Sequence, residues 1–449
     1  MCIRDRRTGY FSQSRIFLSC IGNCQYLFYL YGIVNYQIVN SKSLNRKIEM
    51  TLVDRFLKYV GFYTTSDEES ETSPSTERQN ALGRYLSDEL ISLGLTDVHS
   101  DCCGNVIATL PAKGLKNAPV LGLIAHMDTA PDAPGENVRP RIAVYNGGEM
   151  KLNDSVSLTP ELCPGIVEYI GEELVVTDGT TLLGADDKAG IAEIMTAVDK
   201  LIKSGSDHTE IRVVFTTDEE VGRGAEGLDV NSLGCAFAYT VDGGRVNEIE
   251  YENFNAADAV INIKGVGVHP GSAKGVMKNA ALIASEFVMS LPENERPENT
   301  DGYEGFYHVC DISASMTEAR LHIIIRDHDM TKFSAKKTFI TELTDKLNCK
   351  YGSGTAVLSL KDSYYNMKEK ILPHMHLIER AENALRECGI EPVCLPIRGG
   401  TDGALLSWQG LPCPNLPTGG MNFHGIREYI PVKALDIMSN ALVKIIKSF

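Results

Sequence analysis

His126 and Asp128 stand at the end of the apolar run of residues 120–125, which lies between Pro119 and Pro131. A run of this length reads as a buried strand, most naturally in a parallel sheet. Side chains alternate along a strand, so His126 and Asp128 project the same way at its carboxyl end. Open α/β sheets bind their ligands there. A carboxylate beside a histidine can accept one ring N–H, fix the tautomer and leave the other nitrogen free for a metal. Four more donors fall at strand ends or helix starts: Asp186, Glu220, Asp242 and His424. One carboxylate bridging two metals, plus one histidine and one carboxylate each, would complete a two-metal hydrolytic site. Zinc accepts this nitrogen and oxygen set, and cobalt and manganese are reasonable substitutes. Two such cations can hold a hydroxide at neutral pH and stabilise a tetrahedral oxyanion. Glu219 diverges from its neighbour Glu220, so one can ligate while the other faces the water as general base.

Each residue also has an ordinary reading. Asp186 and Asp187 could cap a helix beside Lys188, and Glu219 and Glu220 could form a solvated turn. Asp242 precedes Gly243 and Gly244 as turn residues do, and His424 could be a loop histidine. Their joint occurrence favours the metal site.

The pattern around them alternates strands with helices. Residues 52–60 and 75–93 carry helical apolar spacing, the second ended by Gly94. Strands are expected near 106–110, 120–125, 211–217 and 235–241, with a helix opening at Leu182 and running to about Lys203. Residues 131–177 are rich in Pro, Gly and Asn and predict a long loop or small hairpin with little core. This order predicts an α/β fold with a mostly parallel sheet. After Asn253, strands at 259–263, 320–326 and 356–360 enclose helices at 278–290 and 331–347, which suggests a compact α+β insert. The expected organisation is a catalytic domain in two parts, 50–253 and 363–449, interrupted by a smaller domain at 254–362. Residues 1–49 have a basic start and a broken apolar stretch. They are expected to be an extension outside the native fold, with Met50 as the true start.

Of 449 residues, 43 are basic and 59 acidic, giving a net charge of −16 without any dense basic stripe. Nucleic acid and anionic membranes are therefore not the expected partners. Twelve cysteines without paired metal-finger spacing suggest structural thiols in a reducing, cytoplasmic compartment.

His126-Met-Asp128-Thr129, Gly184-Ala-Asp186-Asp187-Lys188-Ala-Gly190, Asp218-Glu219-Glu220-Val-Gly222 and Thr240-Val-Asp242-Gly-Gly244 resemble the metal-site motifs of the M20 metallopeptidases. Glu252-Asn-Phe-Asn-Ala256, Val268-His-Pro-Gly271, Gly302-Tyr-Glu-Gly-Phe-Tyr-His308, Asp362-Ser-Tyr-Tyr-Asn-Met367 and Pro396-Ile-Arg-Gly-Gly-Thr-Asp-Gly403 are similar, more specifically, to the tripeptide aminopeptidases of that family. The likeness runs in family order from Met50 to Phe449. It implies a dinuclear zinc enzyme acting on short peptides with a free N-terminus. It further implies His126 and Asp242 on one metal, Glu220 and His424 on the other, and Asp186 bridging both. Asp128 would orient His126, and Glu219 would take the water's proton and pass it to the leaving amine. The insert would be a lid or dimerisation domain, making a homodimer and supplying His269 near the oxyanion. For the substrate's terminal carboxylate, Arg398 beside flexible glycines is a candidate bidentate clamp, with Arg326 from the insert as the second.

A dipeptidase or an N-acyl amino acid deacylase of the same family would keep the metals and change the lid pocket. A non-catalytic binding protein is disfavoured because all five ligands, Asp128 and Glu219 are present. Gly222-Arg-Gly224-Ala-Glu-Gly227 matches the dinucleotide pattern of an NAD-dependent oxidoreductase, but three carboxylates at 218–220 would repel a pyrophosphate. A serine hydrolase lacks its G-x-S-x-G elbow.

Overall fold

The computed structural model describes residues 50–449, so the expectations for residues 1–49 lie outside the described residues. The principal sheet has six strands in the spatial order Thr96–Ser100, Val106–Leu110, Ile211–Thr216, Leu121–His126, Phe237–Gly243 and Asn415–Pro417. The last four run parallel to one another, and the first two form an antiparallel edge. All six residues of Leu121–His126 are buried, as a central parallel strand covered on both faces must be. Alternation divides the strands between two apolar clusters. Leu123, Val213 and Tyr239 join helices Leu52–Val60, Ala185–Ser204, His376–Glu387 and Val432–Lys447 on one face. Ile124, Val214 and Ala238 meet Leu406 of helix Asp402–Trp408 on the other. Helix Ala185–Ser204 lies so close to the Asp242 strand that a Cβ at Gly190 would overlap the Val241 carbonyl. None of the described helices is long and apolar enough to cross a membrane.

Two expectations are corrected. Residues 131–177 are more than a loop: strands Arg141–Val144 and Glu173–Val176 pair with Tyr429–Pro431 in a three-stranded antiparallel sheet. Tyr145, Leu158, Ile166, Leu174 and Tyr429 are buried together beneath it. The third strand comes from the far end of the chain, so no local pattern announces this core. The helix expected from residue 75 starts at Gln79, because Ser75 spends its backbone N–H and hydroxyl on Asp218, at 2.6 and 2.5 Å.

A second sheet is antiparallel, in the order Phe306–Ala314, Glu318–Asp327, Asn255–Lys264 and Ala356–Tyr364. Helices Ala280–Met289 and Met330–Tyr351, capped by Asn279 and Asp329, pack against it. Its core is separate, with Ile261, Phe287, Leu321, Ile323, Phe333 and Ile340 at the centre. Strand Phe306–Ala314 was not expected, since it is an edge exposed over most of its length and carries little alternation. At the two chain crossings between the cores, Asn253 Oδ1 accepts the Met367 N–H, Asn366 Oδ1 accepts the Asn253 N–H, and Asn255 Oδ1 accepts the Asn366 N–H.

Candidate active site

The carboxyl ends of the parallel strands bring the five expected ligands together. His126 ends its strand, Asp242 lies near the end of the next, and Glu220 follows strand Ile211–Thr216 in a short 3-10 turn. Asp186 sits at the start of helix Ala185–Ser204, with φ/ψ of −83° and 104° that keep it out of the helical ladder. His424 comes from the loop before Tyr429–Pro431 and holds a left-handed φ of 59°, a conformation rare for side chains other than Asn, Asp and His.

Asp186 lies between the two histidines. Its Oδ1 is 2.8 Å from His126 Nε2, and its Oδ2 is 3.3 Å from His424 Nε2. His126 Nε2 also lies 3.3 Å from Asp242 Oδ1, and His424 Nε2 lies 2.9 Å from Glu220 Oε2. Ligand atoms around a tetrahedral cation with bonds of about 2.0 to 2.1 Å are themselves about 3.3 Å apart, so these separations suit shared cations. The donor set of two imidazoles and three carboxylates suits zinc-type chemistry, and Glu220 Oε1 is buried without a hydrogen-bond partner.

Outer groups aim this cluster. His126 Nδ1 lies 3.1 Å from the Asp128 carbonyl and 3.3 Å from Asp128 Oδ1, and the same buried carboxylate accepts the Glu219 and Glu220 N–H groups at 3.1 and 3.2 Å. Asp128 therefore fixes both a histidine and the acidic turn. His424 Nδ1 faces Asp132 at 3.4 Å, giving the second histidine a matching outer carboxylate. Glu428 accepts from the backbone of Leu183, Gly184 and Asp186 at 2.6, 2.8 and 3.1 Å, which holds the Asp186 turn. Asp402 is buried against the Thr216 hydroxyl at 2.9 Å. Asp132, Glu428 and Asp402 were not singled out from sequence; the acidic residue four positions after His424 was the available signal for Glu428.

The two neighbours Asp186 and Asp187 divide their work. A grouping of His126, Asp187 and Asp242 is also close enough to hold an ion. However, Asp187 Oδ1 accepts the Gly190 N–H and Oδ2 the His126 N–H, at 3.2 and 3.1 Å. We assign Asp187 to the helix cap on that ground.

Electrostatics match a cation site. Burial pushes Glu220 up to about 8, with the Asp186 charge adding to it. Burial also lifts Asp242 to about 6 against the pull of His126. Hydrogen bonds donated to Asp186 and Glu220 raise His424 to about 11. Burial opposes protonation of His126, yet Asp242, Asp128 and Asp186 together hold it well above its usual value. Burial would raise Asp186, but the two histidines keep it low. Glu219 is raised well above a normal carboxyl by burial and then by Asp242. Protons and metal ions compete for these same lone pairs.

The three residues expected at the substrate are not all alike. Arg398 donates to the carbonyls of Gly302, Glu304 and Thr300 and to the Thr300 hydroxyl, at 2.8 to 3.3 Å, and lies over Phe254 and Phe306. Its guanidinium is thus a tie to the 300–304 loop. Arg326 uses Nη1 on the Arg398 carbonyl at 3.3 Å, while its Nε is buried without a partner. His269 is exposed, its Nδ1 accepting the Gly271 N–H in a turn, apart from the five-ligand cluster. Gly222 to Gly227 lie in 3-10 turns followed by only the four-residue helix Val230–Leu233, which removes the helix that a dinucleotide-binding loop must open.

Residues 251–355 match the family described as a peptidase dimerisation domain. Over 402 residues the chain is 52% identical to the peptidase T of Halothermothrix orenii, covering 89% of this chain and 98% of that protein. The chain belongs to the peptidase T family. Solved structures agree on the fold: aminopeptidase PepT of Bacillus cereus superposes with a TM-score of 0.69 at 24% identity, covering 88% of this chain and 97% of the other. A tripeptidase of Staphylococcus aureus superposes with a TM-score of 0.71 at 23% identity, over 88% and 97% of the two chains. The peptidase T fold thus comprises the mostly parallel α/β domain and a separate dimerisation domain.

Proposed function

We propose that this chain is a tripeptide aminopeptidase that works with two divalent metal ions, most naturally zinc, with cobalt or manganese as substitutes. The observation that carries this reading is Asp186, whose two oxygens reach His126 on one side and His424 on the other, in a chain half identical to peptidase T relatives. In the reading, His126 and Asp242 hold one ion, Glu220 and His424 the other, and Asp186 both. When bound, the ions supply Lewis acidity that lowers the pKa of water and draws off oxyanion charge. Asp128 holds the His126 ring and the 219–220 turn in register. Glu219 accepts the water's proton and returns it to the leaving amine as the N-terminal residue departs. Arg326, with its free Nε, meets the substrate, and Arg398 holds the loop that faces it. His269, which stands in a turn apart from the cluster, is read as contributing near the oxyanion either by movement of its own insert or from a second copy of the chain. We place the domain boundaries at 50–253, 254–362 and 363–449, and read the middle segment as the contact of a homodimer. Cysteine usage supports a cytoplasmic location.

The test is hydrolysis of an unblocked tripeptide with and without chelator. Release of the N-terminal residue, lost on chelation and restored by zinc, cobalt or manganese, supports the reading; cleavage indifferent to chelator sinks it.

A further inference from the structure

Among the described residues, few buried side-chain polar atoms lack a hydrogen-bond partner, and three of them, Tyr364 Oη, Arg326 Nε and Thr401 Oγ1, belong to the two strands that flank Asn255–Lys264 and to the loop that passes beside one of them. Sheet register brings the first two together. Ala256 pairs with Arg326 on one neighbouring strand and with Tyr364 on the other, so both side chains leave the same face with only a methyl group between them. The guanidinium carbon lies 5.6 Å from the centre of the Tyr364 ring. Thr401 arrives on the 398–401 loop, which is fastened here by the Arg326 bond to the Arg398 carbonyl. The loop passes so close that a Cβ at Gly400 would lie 2.7 Å from the Tyr364 ring.

Buried polar groups are normally paired, so this concentration of unpaired ones asks for a ligand. Arginine can only donate, and the two hydroxyls can donate with it, which selects a partner with several acceptors and negative charge. A carboxylate meets that requirement. We propose that the Tyr364 hydroxyl is a substrate-binding donor that takes the terminal carboxylate of the peptide together with Arg326 Nε, with Thr401 beside them. The assignment rests on the tripeptidase reading and adds the residue that would let the enzyme distinguish a free carboxyl end. Burial, the largest influence on the phenol, pushes its pKa up to about 12, so it stays protonated at neutral pH.

Because this hydroxyl has no bond within the protein, Tyr364→Phe removes a contact to ligand and none to the fold. The experiment compares the metal-loaded wild type and Y364F on one tripeptide and on its C-terminal amide, with melting curves for both proteins. The expected result is a KM for the free tripeptide raised about tenfold, equivalent to about 1.4 kcal/mol, with kcat held within about twofold. The amide should show the same KM with either protein, and the melting temperature should not fall. An unchanged KM for the free tripeptide, or an equal rise for acid and amide, overturns the assignment. Failure of the wild type to cleave the tripeptide in a metal-dependent way would overturn the tripeptidase reading, and this assignment with it.

Discussion

Replacing Asp128 with asparagine should weaken metal binding without changing any ligand. The Asp128 carboxylate is buried and serves three groups: the Glu219 N–H at 3.1 Å, the Glu220 N–H at 3.2 Å and His126 Nδ1 at 3.3 Å. Asparagine keeps one acceptor oxygen. One backbone N–H must then face an amide N–H2 group in a site closed to water. A hydrogen bond to a charged group is worth about 1.5 to 3 kcal/mol, and a buried donor left unpaired costs about 1 to 3 kcal/mol. A total near 3 kcal/mol follows, divided between the fold and the metal. Loss of an outer partner of a ligating histidine costs about 10- to 100-fold in metal affinity, which is the share expected to appear there. Competition with a chromophoric chelator measures zinc affinity, and melting at saturating zinc measures the remainder. Zinc affinity within about twofold of wild type, with an unchanged melt, would refute the claim that Asp128 organises both the histidine and the acidic turn.

Three further outcomes are expected. Without metal, Glu220 at about 8, Asp242 at about 6 and His424 at about 11 all lie above their ordinary values of 4.5, 3.8 and 6.5. The folded state therefore binds more protons than the unfolded one, and chelated protein should lose stability as pH rises from about 5 to 8, while the stabilisation by zinc grows; melting curves at pH 5.5 and 8 with and without zinc check this, and a pH-independent zinc increment contradicts it. Glu219→Gln should lower kcat by about 10² to 10⁴ with metal content unchanged by elemental analysis; a kcat near wild type would remove Glu219 as the base. Arg398→Ala deletes four hydrogen bonds to the 300–304 segment and should cost about 2 kcal/mol of stability in urea melts, with the KM for a tripeptide rising as that segment loosens; an unchanged melt would show the tie to be idle.

Much of this arrangement is legible in the chain. The buried run ending at His126, the acidic pair after strand Ile211–Thr216 and Asp242 near the end of strand Phe237–Gly243 are local patterns, and local patterns set which strand end each side chain occupies. Asp186 and Asp187 are harder, because the capping reading fits Asp187, which accepts the Gly190 N–H, while Asp186 faces the two histidines; only the turn geometry before Lys188 separates them. Glu428, Asp132 and Asp402 act through backbone and side chains far along the chain, and their spacing gave no periodic signal. Strand Tyr429–Pro431 is another such case, since its partner Glu173–Val176 lies more than 250 residues earlier. Arg398 looked like a free clamp because glycines surround it, yet its guanidinium meets carbonyls nearly 100 residues away.

Substrate choice and metal dependence are decided together by a side-by-side assay of an unblocked tripeptide, its N-acetylated form and a dipeptide, with metal-loaded and chelated protein. Only the free tripeptide should be cleaved efficiently, at its first peptide bond, and chelation should abolish this until zinc, cobalt or manganese is returned. Equal or faster cleavage of the dipeptide or the acetylated peptide would contradict the tripeptidase assignment, and cleavage that survives chelation would contradict the metal centre itself.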